Sequence, residues 1–297
     1  MAAPPRRHHI IPDFYLRRFS RAGTIQVIDR ENGRSFPSST KKVAVERDRH
    51  TRTGSGTADY EVEKELGRLE GIASGYLAAV DRGEFPFSDP DARLGMSLFL
   101  AFLHNRTDKT RHETRQLLAS LAGPLLQMAP SAIIVQVLTK RRGRPPTDEE
   151  IATEQSRLRA LGDTLTDTDI DVDRDYHINT MIRLSLTQVE LFSQRRWGIV
   201  DLGLPVLLTS DAPVRLIRHR DLPPHYGVGV ATARAIVVPL DPCKFLFLSD
   251  QPGDEGILAA PSLEFANLSN NTIWNGARRW VFHHPDHPPQ HSSVNVG

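Results

Sequence analysis

The pattern of apolar residues changes near residue 196, and this change constrains the fold more than any other feature of the sequence. Before it, apolar spacings of three and four and helix-start signals predict amphipathic helices, at residues 60–81, 91–121, 147–161 and 175–195. After it, short apolar runs separated by Gly, Pro and Asp predict strands, at residues 197–200, 205–208, 214–217, 235–238 and 245–248. No crossover helix fits between these runs, so antiparallel connections are expected.

These patterns predict a single α+β domain over residues 1–297, in which a helical N-terminal and central part packs with a mainly antiparallel C-terminal β-sheet. Its predicted parts are an N-terminal arm and hairpin (8–46), a helical part (58–195), a sheet-rich part (196–282) and a mobile tail (283–297). The hairpin is indicated by Asn32-Gly33, which follows a β-branched run. The polar loop at residues 47–57 lacks apolar periodicity and is expected to be mobile.

Composition excludes several classes of protein. The chain has 39% hydrophobic and 25% charged residues, which is ordinary for a globular protein. No apolar run approaches the roughly 18 residues that cross a bilayer, and the first residues lack the apolar segment of a secretory signal. The single cysteine, Cys243, excludes an internal disulfide framework and a cysteine-based zinc cluster. We therefore expect a cytoplasmic protein without membrane contact, and the oligomeric state is left open.

Charge is distributed unevenly along the chain, although the net charge is only +1. Residues 1–60 hold twelve Lys/Arg and six Asp/Glu, a balance of +6, whereas residues 146–175 hold three Arg and ten Asp/Glu, a balance of −7. The two segments could face each other, the basic one could meet an anionic ligand, or both could be solvated surface. The basic loop at residues 140–146 has no interleaved aromatic residues, so it indicates nucleic-acid binding only weakly.

Two adjacent histidines, His8 and His9, begin a short stretch that also holds Pro12 and an aromatic cluster ending at Phe19. Imidazole titrates near neutral pH and binds metals, so the pair is a candidate for acid–base catalysis or for a divalent metal site. Side chains alternate along a strand, so both histidines can face one site only from an irregular segment. In the alternative interpretation, the aromatic residues hold a terminal arm against the core and the histidines are solvated.

Two charged residues fall on the apolar faces of predicted helices. Glu70 lies near the edge of the apolar stripe of helix 60–81, and Arg106 continues the buried face of helix 91–121. A buried charge requires a partner, so Glu70 and Arg106 are expected to pair. The pair either braces two core helices or places Arg106 as a clamp for an anion. Glu63, seven residues before Glu70, lies one step further out on that helix and can reach water.

Two polar segments lie in the C-terminal part of the chain. Asp211 belongs to a polar segment at residues 209–213, which is typical of a strand end that carries site residues and equally of an ordinary turn. Asn267, Asn271 and Asn275 fall along one helix face, where they could line a polar pocket or end a broken helix. The candidate substrate-binding residues are Tyr15, Arg17 and Asn271.

The stretch His8-His9-Ile10-Ile11-Pro12-Asp13-Phe14-Tyr15-Leu16 resembles the opening of the bacterial domain-of-unknown-function family 4238, which typically begins His-His-aromatic-Val-Pro-x-Phe-Tyr-Leu. The likeness continues in the same order over nearly the whole chain, through the helix bearing Glu63 and Glu70, the run ending at Arg106 and the segment around Asp211. Ile10 departs from the usual aromatic residue. Arg49-His50 also replaces an aromatic pair, which argues against a site role for that loop. The family has no established activity, so the resemblance implies a fold and no reaction.

The leading functional hypothesis is a hydrolase. In it, His8 or His9 is the general base or a metal ligand, Glu70 and Asp211 are orienting carboxylates, and Arg106 is an anion clamp. The basic N-terminal segment best fits a phosphorylated or nucleic-acid substrate, and a divalent metal is a possible cofactor of unknown identity. The alternative is a non-catalytic binding or regulatory module with a structural Glu70–Arg106 core pair. An enzyme requires the histidines, Arg106 and Asp211 to converge on one concave pocket.

Overall fold

The computed structural model describes residues 6–54, 59–223, 226–259 and 262–288. The end of the predicted tail and part of the predicted mobile loop lie outside the described residues. The chain divides into two compact units, the first comprising Met1–Thr110 and Arg174–Gly297 and the second comprising Arg111–Asp173. The first unit combines helices with sheets and the second is helical, so the α+β class is confirmed. The single-domain assignment stays a prediction.

The helices follow the apolar periodicity of the sequence. In chain order they are α1 (Asp13–Arg17), α2 (Glu61–Asp81), α3 (Pro90–Asn105), α4 (Asp108–Gln127), α5 (Ser131–Arg142), α6 (Asp148–Thr164), α7 (Arg174–Ser193) and α8 (Leu263–Gly276). In the first unit, α3 packs against α2 and α7. The side chain of Asp89 accepts the backbone N–H of Asp91 and so caps α3, with Pro90 in the first turn. Met96, Phe99, Leu100 and Leu103 of α3 are buried, whereas Leu94 near its start is exposed.

The strands form mostly antiparallel sheets. In chain order they are β1 (Arg7–His9), β2 (Thr24–Asp29), β3 (Ser35–Ser39), β4 (Val45–Arg47), β5 (Arg196–Asp201), β6 (Thr209–Ser210), β7 (Arg215–Ile217), β8 (Ala235–Pro239), β9 (Lys244–Ser249), β10 (Gly256–Ala259) and β11 (Trp280–His283). Among the described residues the sheet orders are β1-β4, β10-β5-β9-β8-β7 and β3-β2-β11-β6. β10 runs parallel to β5, and the other described pairings are antiparallel.

One face of the five-stranded sheet builds the main core of the first unit. Trp197 and Ile199 of β5 lie on this face with Ile236 of β8 and Leu248 of β9, and all four are at most 1% exposed. The residues between them point to the opposite face, because side chains alternate along a strand. The N-terminal arm joins the same core through Tyr15, Leu16 and Phe19 of the opening stretch. The aromatic cluster of that stretch therefore packs in the interior.

The long helix predicted at residues 91–121 is wrong at one point, because the chain breaks it into α3 and α4 after Asn105. The carbonyl of Arg106 accepts a hydrogen bond from Arg49 Nη2 at 2.7 Å. The hydroxyl of Thr107 then accepts the N–H of Thr110 at 3.2 Å, as a helix cap does. Bonds from the distant Arg49 and the nearby Thr107 side chain thus compete with the helical ladder, which apolar periodicity does not reveal.

The strand predicted at residues 205–208 is also wrong. Only Thr209 and Ser210 form a strand, β6, which joins β11 instead of the five-stranded sheet. Asn270 of α8 takes the place of a neighbouring strand: its amide donates to Val206 O, and its side-chain oxygen accepts the N–H of Leu208, both at 2.8 Å. Together with the bond from the N–H of Leu207 to Pro242 O, these contacts satisfy the backbone of the run without a neighbouring strand.

The second unit contains α5, α6 and most of α4. Thr147 and Glu150 form a capping box at the start of α6. α4 continues to Gln127 with Pro124 inside it, beyond the predicted helix end at residue 121. A Cβ on Gly123 would lie 3.0 Å from Gly162 O, so α4 and α6 approach each other closely at these two glycines. Within the described residues, no helix on its own is long and apolar enough to cross a membrane; the bent pair α4 and α5 meets that test only when both are taken together.

Candidate functional site

The two histidines of the opening stretch lie on β1 and point to opposite sides. β1 pairs with β4 so that His8 stands opposite Glu46 and His9 opposite Val45. His8 is fully buried and His9 is half-buried. This alternation is that of an ordinary strand, so the two imidazoles do not share one face.

His8 packs against a second histidine from the loop that follows β4. Its Nδ1 accepts the backbone N–H of His50 at 3.0 Å, and the two rings stack with centroids 5.6 Å apart. The loop residue His50 is itself only 2% exposed. Because Nδ1 of His8 accepts a hydrogen bond, a neutral His8 carries its proton on Nε2.

Glu63, in the first turn of α2, completes this group. Its Oε2 lies 2.7 Å from His50 Nδ1 and 3.6 Å from His8 Nδ1. Burial alone would raise the pKa of the Glu63 carboxyl, but the hydrogen bond from His50 and nearby positive charges together lower it. The side chain of Glu63 is 26% exposed, so this carboxylate connects the two buried imidazoles to solvent.

His50 is a neutral imidazole, and one of its two ring nitrogens has no hydrogen-bond partner among the described residues. Burial lowers its pKa to about 4; the hydrogen bond to Glu63 opposes this shift, and the charges of Arg106 and Arg49 add to it. When Nδ1 donates its proton to Glu63, Nε2 carries a bare lone pair. That atom is buried and has no hydrogen-bond partner among the described residues. A buried acceptor without a donor is unfavourable, so it points to something that the protein itself does not supply.

His8, His50 and Glu63 also have the composition of a metal site. Each offers one ligating atom, and the three atoms lie within 4.8 Å of one another. Two imidazoles and one carboxylate are a common ligand set for zinc and for non-haem iron. Ligands of a tetrahedral zinc ion are about 3.3 Å apart. A cation would therefore replace the proton between His50 and Glu63 and require only a small separation of that pair.

Arg106 lies next to this group and forms the predicted pair with Glu70. Its Nη1 donates to Glu70 Oε1 at 2.8 Å, and its Nη2 donates to the backbone oxygen of His9 at 2.6 Å. Arg106 is only 4% exposed. The guanidinium therefore joins α2, the end of α3 and β1. Burial lowers the pKa of His9, while the charges of Asp13 and Glu70 oppose that shift.

Asp211 is engaged elsewhere in the first unit. Its carboxylate accepts the backbone N–H groups of Arg278, Arg279 and Trp280 at 2.9, 2.7 and 2.9 Å. Burial raises the pKa of Asp211, and these three donors oppose the shift. The structure brings His8, His9, Glu70 and Arg106 into one neighbourhood, whereas the hydrogen bonds of Asp211 hold the chain as it enters β11.

Comparison with known proteins places the chain in a family. Residues 7–287 match the family model described as Protein of unknown function (DUF4238). The chain belongs to this family. The match covers nearly all of the DUF4238 chain and confirms the resemblance carried by its opening stretch. No curated protein and no solved structure matches it.

The three predicted substrate-binding residues of this DUF4238 chain do not meet. Tyr15 is 1% exposed, donates its hydroxyl to Pro239 O and pairs with Thr209 Oγ1, each at 2.7 Å. Burial raises the pKa of its hydroxyl. Arg17 forms an exposed ion pair with Asp13 at 2.8 Å on α1. Asn271 is exposed on α8, where its neighbour Asn270 makes the buried contacts described above. A ligand role for these residues stays a prediction.

Sequence reasoning missed His50 and left Glu63 out of the site. His50 lies in a polar loop without periodicity, where the family pattern argued against a functional role. The structure instead places His50 between His8 and Glu63. The sequence offered one indication of this contact, namely the types of the two residues: a histidine is followed thirteen positions later by a carboxylate in the first turn of a helix. Type alone does not establish proximity, and the pairing of β1 with β4 supplies it.

Proposed function

We propose that this DUF4238 chain is a metal-dependent hydrolase in which His8, His50 and Glu63 hold a divalent cation. The proposal rests on one observation, namely that two buried imidazoles and a partly exposed carboxylate place three ligating atoms within 4.8 Å of one another. Three protein ligands leave a coordination position open, and a metal there lowers the pKa of bound water. Glu63 gives that position its connection to solvent.

The proposed substrate carries a phosphate or another anionic group. Arg7 and Arg47 stand opposite each other across β1 and β4 and are exposed, and the alternation of side chains places them on the face of this pair opposite to His8. Arg106 and Arg49 add buried positive charge near His50. Positive charge attracts anionic substrates, and arginine binds phosphate oxygens through two parallel hydrogen bonds. Arg106 is already bound to Glu70 and to the backbone of His9, so it supplies positive charge beside the cluster and not a direct substrate contact.

The metal content of the purified, untagged chain tests this proposal. We expect about one Zn²⁺, Mn²⁺ or Fe²⁺ per chain, and loss of that metal in His50→Gln and in Glu63→Gln. Thermal unfolding provides a second measurement: metal at about 100 times its dissociation constant stabilises a folded chain by about 2.7 kcal/mol, and a chelator removes that gain. Metal-loaded protein is then assayed on phosphomonoesters and phosphodiesters.

His219→Gln is the matched control variant. His219 Nε2 also lies 2.9 Å from a carboxylate, that of Asp250, but this pair is more exposed and belongs to no three-ligand group among the described residues. The control should keep the full metal content. A chain that binds no metal after reconstitution, or variants that retain it, would contradict the proposal.

The second candidate function is a non-catalytic binding or regulatory module. It is favoured by Arg106, whose two terminal nitrogens bind Glu70 and the backbone of His9 instead of facing a cleft. The engagement of Asp211 with backbone donors supports it too. Bound metal that stabilises the fold, with no turnover of any anionic ester, would favour the module over the hydrolase.

A further inference from the structure

A cleft of about 540 Å³ lies in the first unit, between the outer face of the five-stranded sheet and α8. This face is the one opposite the main core. The register pairs Val200 with Phe245 and Val237 with Phe247 on adjacent strands, so these four side chains form one continuous floor. Phe265 and Leu268 form the helical wall, and both are largely exposed. The size is that of pockets for small organic ligands.

The floor and wall of the cleft are apolar. Floor residues Val237 and Phe245 belong to a small buried cluster, against which Val200, Ile217 and Phe247 pack. Leu258 of β10 and Leu268 of α8 flank it and are 47% and 63% exposed. Together they present a concave apolar surface to solvent, which is unfavourable unless something covers it.

The rim of the cleft is strongly basic. Arg196, Arg218, Arg220 and Arg234 line it, and no aspartate or glutamate does so among the residues that the structure describes. Arg196 donates to a backbone carbonyl, that of Asp254, at 3.2 Å. Arg220 and Arg234 are exposed, and within the described chain neither forms an ion pair. The guanidinium groups of Arg220 and Arg234 therefore carry positive charge at the rim without a carboxylate partner among the described residues.

One polar atom interrupts the helical wall. Ser269 lines the cleft and is 2% exposed, and its hydroxyl has no hydrogen-bond partner among the described residues. A helical serine usually bonds the carbonyl one turn before it, as Thr272 does with Leu268 O. A buried hydroxyl without a partner costs free energy, and a polar ligand atom would remove that cost.

We propose that this cleft binds a small amphipathic anion, a free carboxylate with an aliphatic chain of medium length. The chain lies on the phenylalanine and valine floor, where burying apolar surface drives binding. The carboxylate lies at the rim, because guanidinium groups match its two oxygens in a bidentate pair. Arg220 and Arg234 are the proposed head-group contacts. This site lies apart from the histidine cluster and does not depend on the hydrolase proposal.

Calorimetric titration of the full chain with dodecanoate, kept below its micellar concentration, tests the proposal. We expect saturable binding of one dodecanoate per chain. Dodecyltrimethylammonium has the same tail with a positive head, and acetate has the head without the tail, so neither should bind. Equal affinity for the anionic and cationic tails would overturn the proposal, since it would indicate adsorption to an apolar surface. Binding to phosphatidylglycerol vesicles without binding of free dodecanoate would overturn it too.

Two variants separate the head group from the tail. Arg220→Ala/Arg234→Ala alters exposed side chains only and should weaken dodecanoate binding about tenfold. Thr272→Trp adds volume to the helical wall and should abolish binding, with a thermal melt to verify folding. The matched control is Arg34→Ala/Arg278→Ala, which removes two exposed arginines outside the cleft and should leave affinity unchanged. Equal loss in the control and in the rim variant would contradict the assignment.

Discussion

Two polar groups in the first unit differ in how completely their atoms are paired. At the start of β11, both carboxylate oxygens of Asp211 accept backbone N–H groups, so this buried charge is satisfied by the chain itself. In the histidine cluster, His50 donates to Glu63 but its Nε2 remains buried without a partner among the described residues. A satisfied group holds the fold, whereas an unsatisfied one has capacity left for a ligand. Both kinds of residue look alike in the sequence.

Arg106 lies beside the histidine cluster but resembles the Asp211 group. Its terminal nitrogens are occupied by Glu70 and by the backbone of His9, although its Nε has no partner among the described residues. The neighbourhood of His8 therefore contains residues of both kinds. His50 and Glu63 carry the binding capacity, and Glu70 and Arg106 hold β1 against the helices.

The largest loss of unfolding free energy is expected for Arg106→Ala. Removing the guanidinium leaves the half-buried Glu70 carboxylate and the His9 carbonyl without their donor, which should cost about 3–5 kcal/mol of unfolding free energy. Urea unfolding measures this cost. Arg68→Ala is the control. Arg68 pairs with Glu65 on the exposed side of α2, the helix that also carries Glu70, so this substitution should change the unfolding free energy by less than about 1 kcal/mol. A stable Arg106→Ala chain that had lost only activity would instead identify an anion clamp.

A smaller but still substantial loss of unfolding free energy is expected for Asp211→Ala. Three backbone N–H groups would lose their acceptor, which should cost about 2–4 kcal/mol. Asp211→Asn keeps one acceptor oxygen and the shape of the side chain, so it should lose less. Urea unfolding of both variants, with metal content as a second measurement, tests this. If Asp211→Ala kept its stability and lost bound metal, Asp211 would belong with the histidine cluster.

The smallest changes in stability are expected for substitutions of two neighbouring asparagines, Asn270 and Asn271. Asn270→Ala removes two bonds to the backbone of the run that precedes β6 and should cost about 1–3 kcal/mol. Asn271→Ala alters an exposed side chain and should change stability by less than about 0.5 kcal/mol. Thermal unfolding of the two variants side by side distinguishes them. A larger loss for Asn271→Ala would reverse the assignment of these residues.

Much of the fold was predictable from local patterns. The strand at β2, the turn at Asn32-Gly33 and the capping box at Thr147 and Glu150 each depend on residues close together in the chain. The Glu70–Arg106 pair was predictable for another reason: each charge lies on an apolar helix face, and a buried charge needs an opposite one. The failures at residues 205–208 and at the end of α3 share one cause, since distant side chains bind the backbone there.

The candidate site was only half predictable. His8 was identified because two histidines open the chain ahead of an aromatic cluster. His50 was not, since it lies 42 residues further on in a loop without periodicity. The arginine-rimmed cleft also escaped prediction. It needs the register of the five-stranded sheet and the placement of α8, although its strands were mostly predicted.

The amino-acid sequence by itself determined the α+β class, most helices and strands, and the need of Glu70 and Arg106 for each other. These features follow from periodicity and from the cost of burying charge, which act locally or between residues of obvious complementarity. Only the tertiary structure decided that His50 lies beside His8 and Glu63 and that Asp211 accepts backbone hydrogen bonds at the start of β11. It also decided that Asn270, and not Asn271, makes the buried contacts of α8. The physical reason is that strand pairing and side-chain packing bring together residues from distant parts of the chain, and no local pattern encodes those distances.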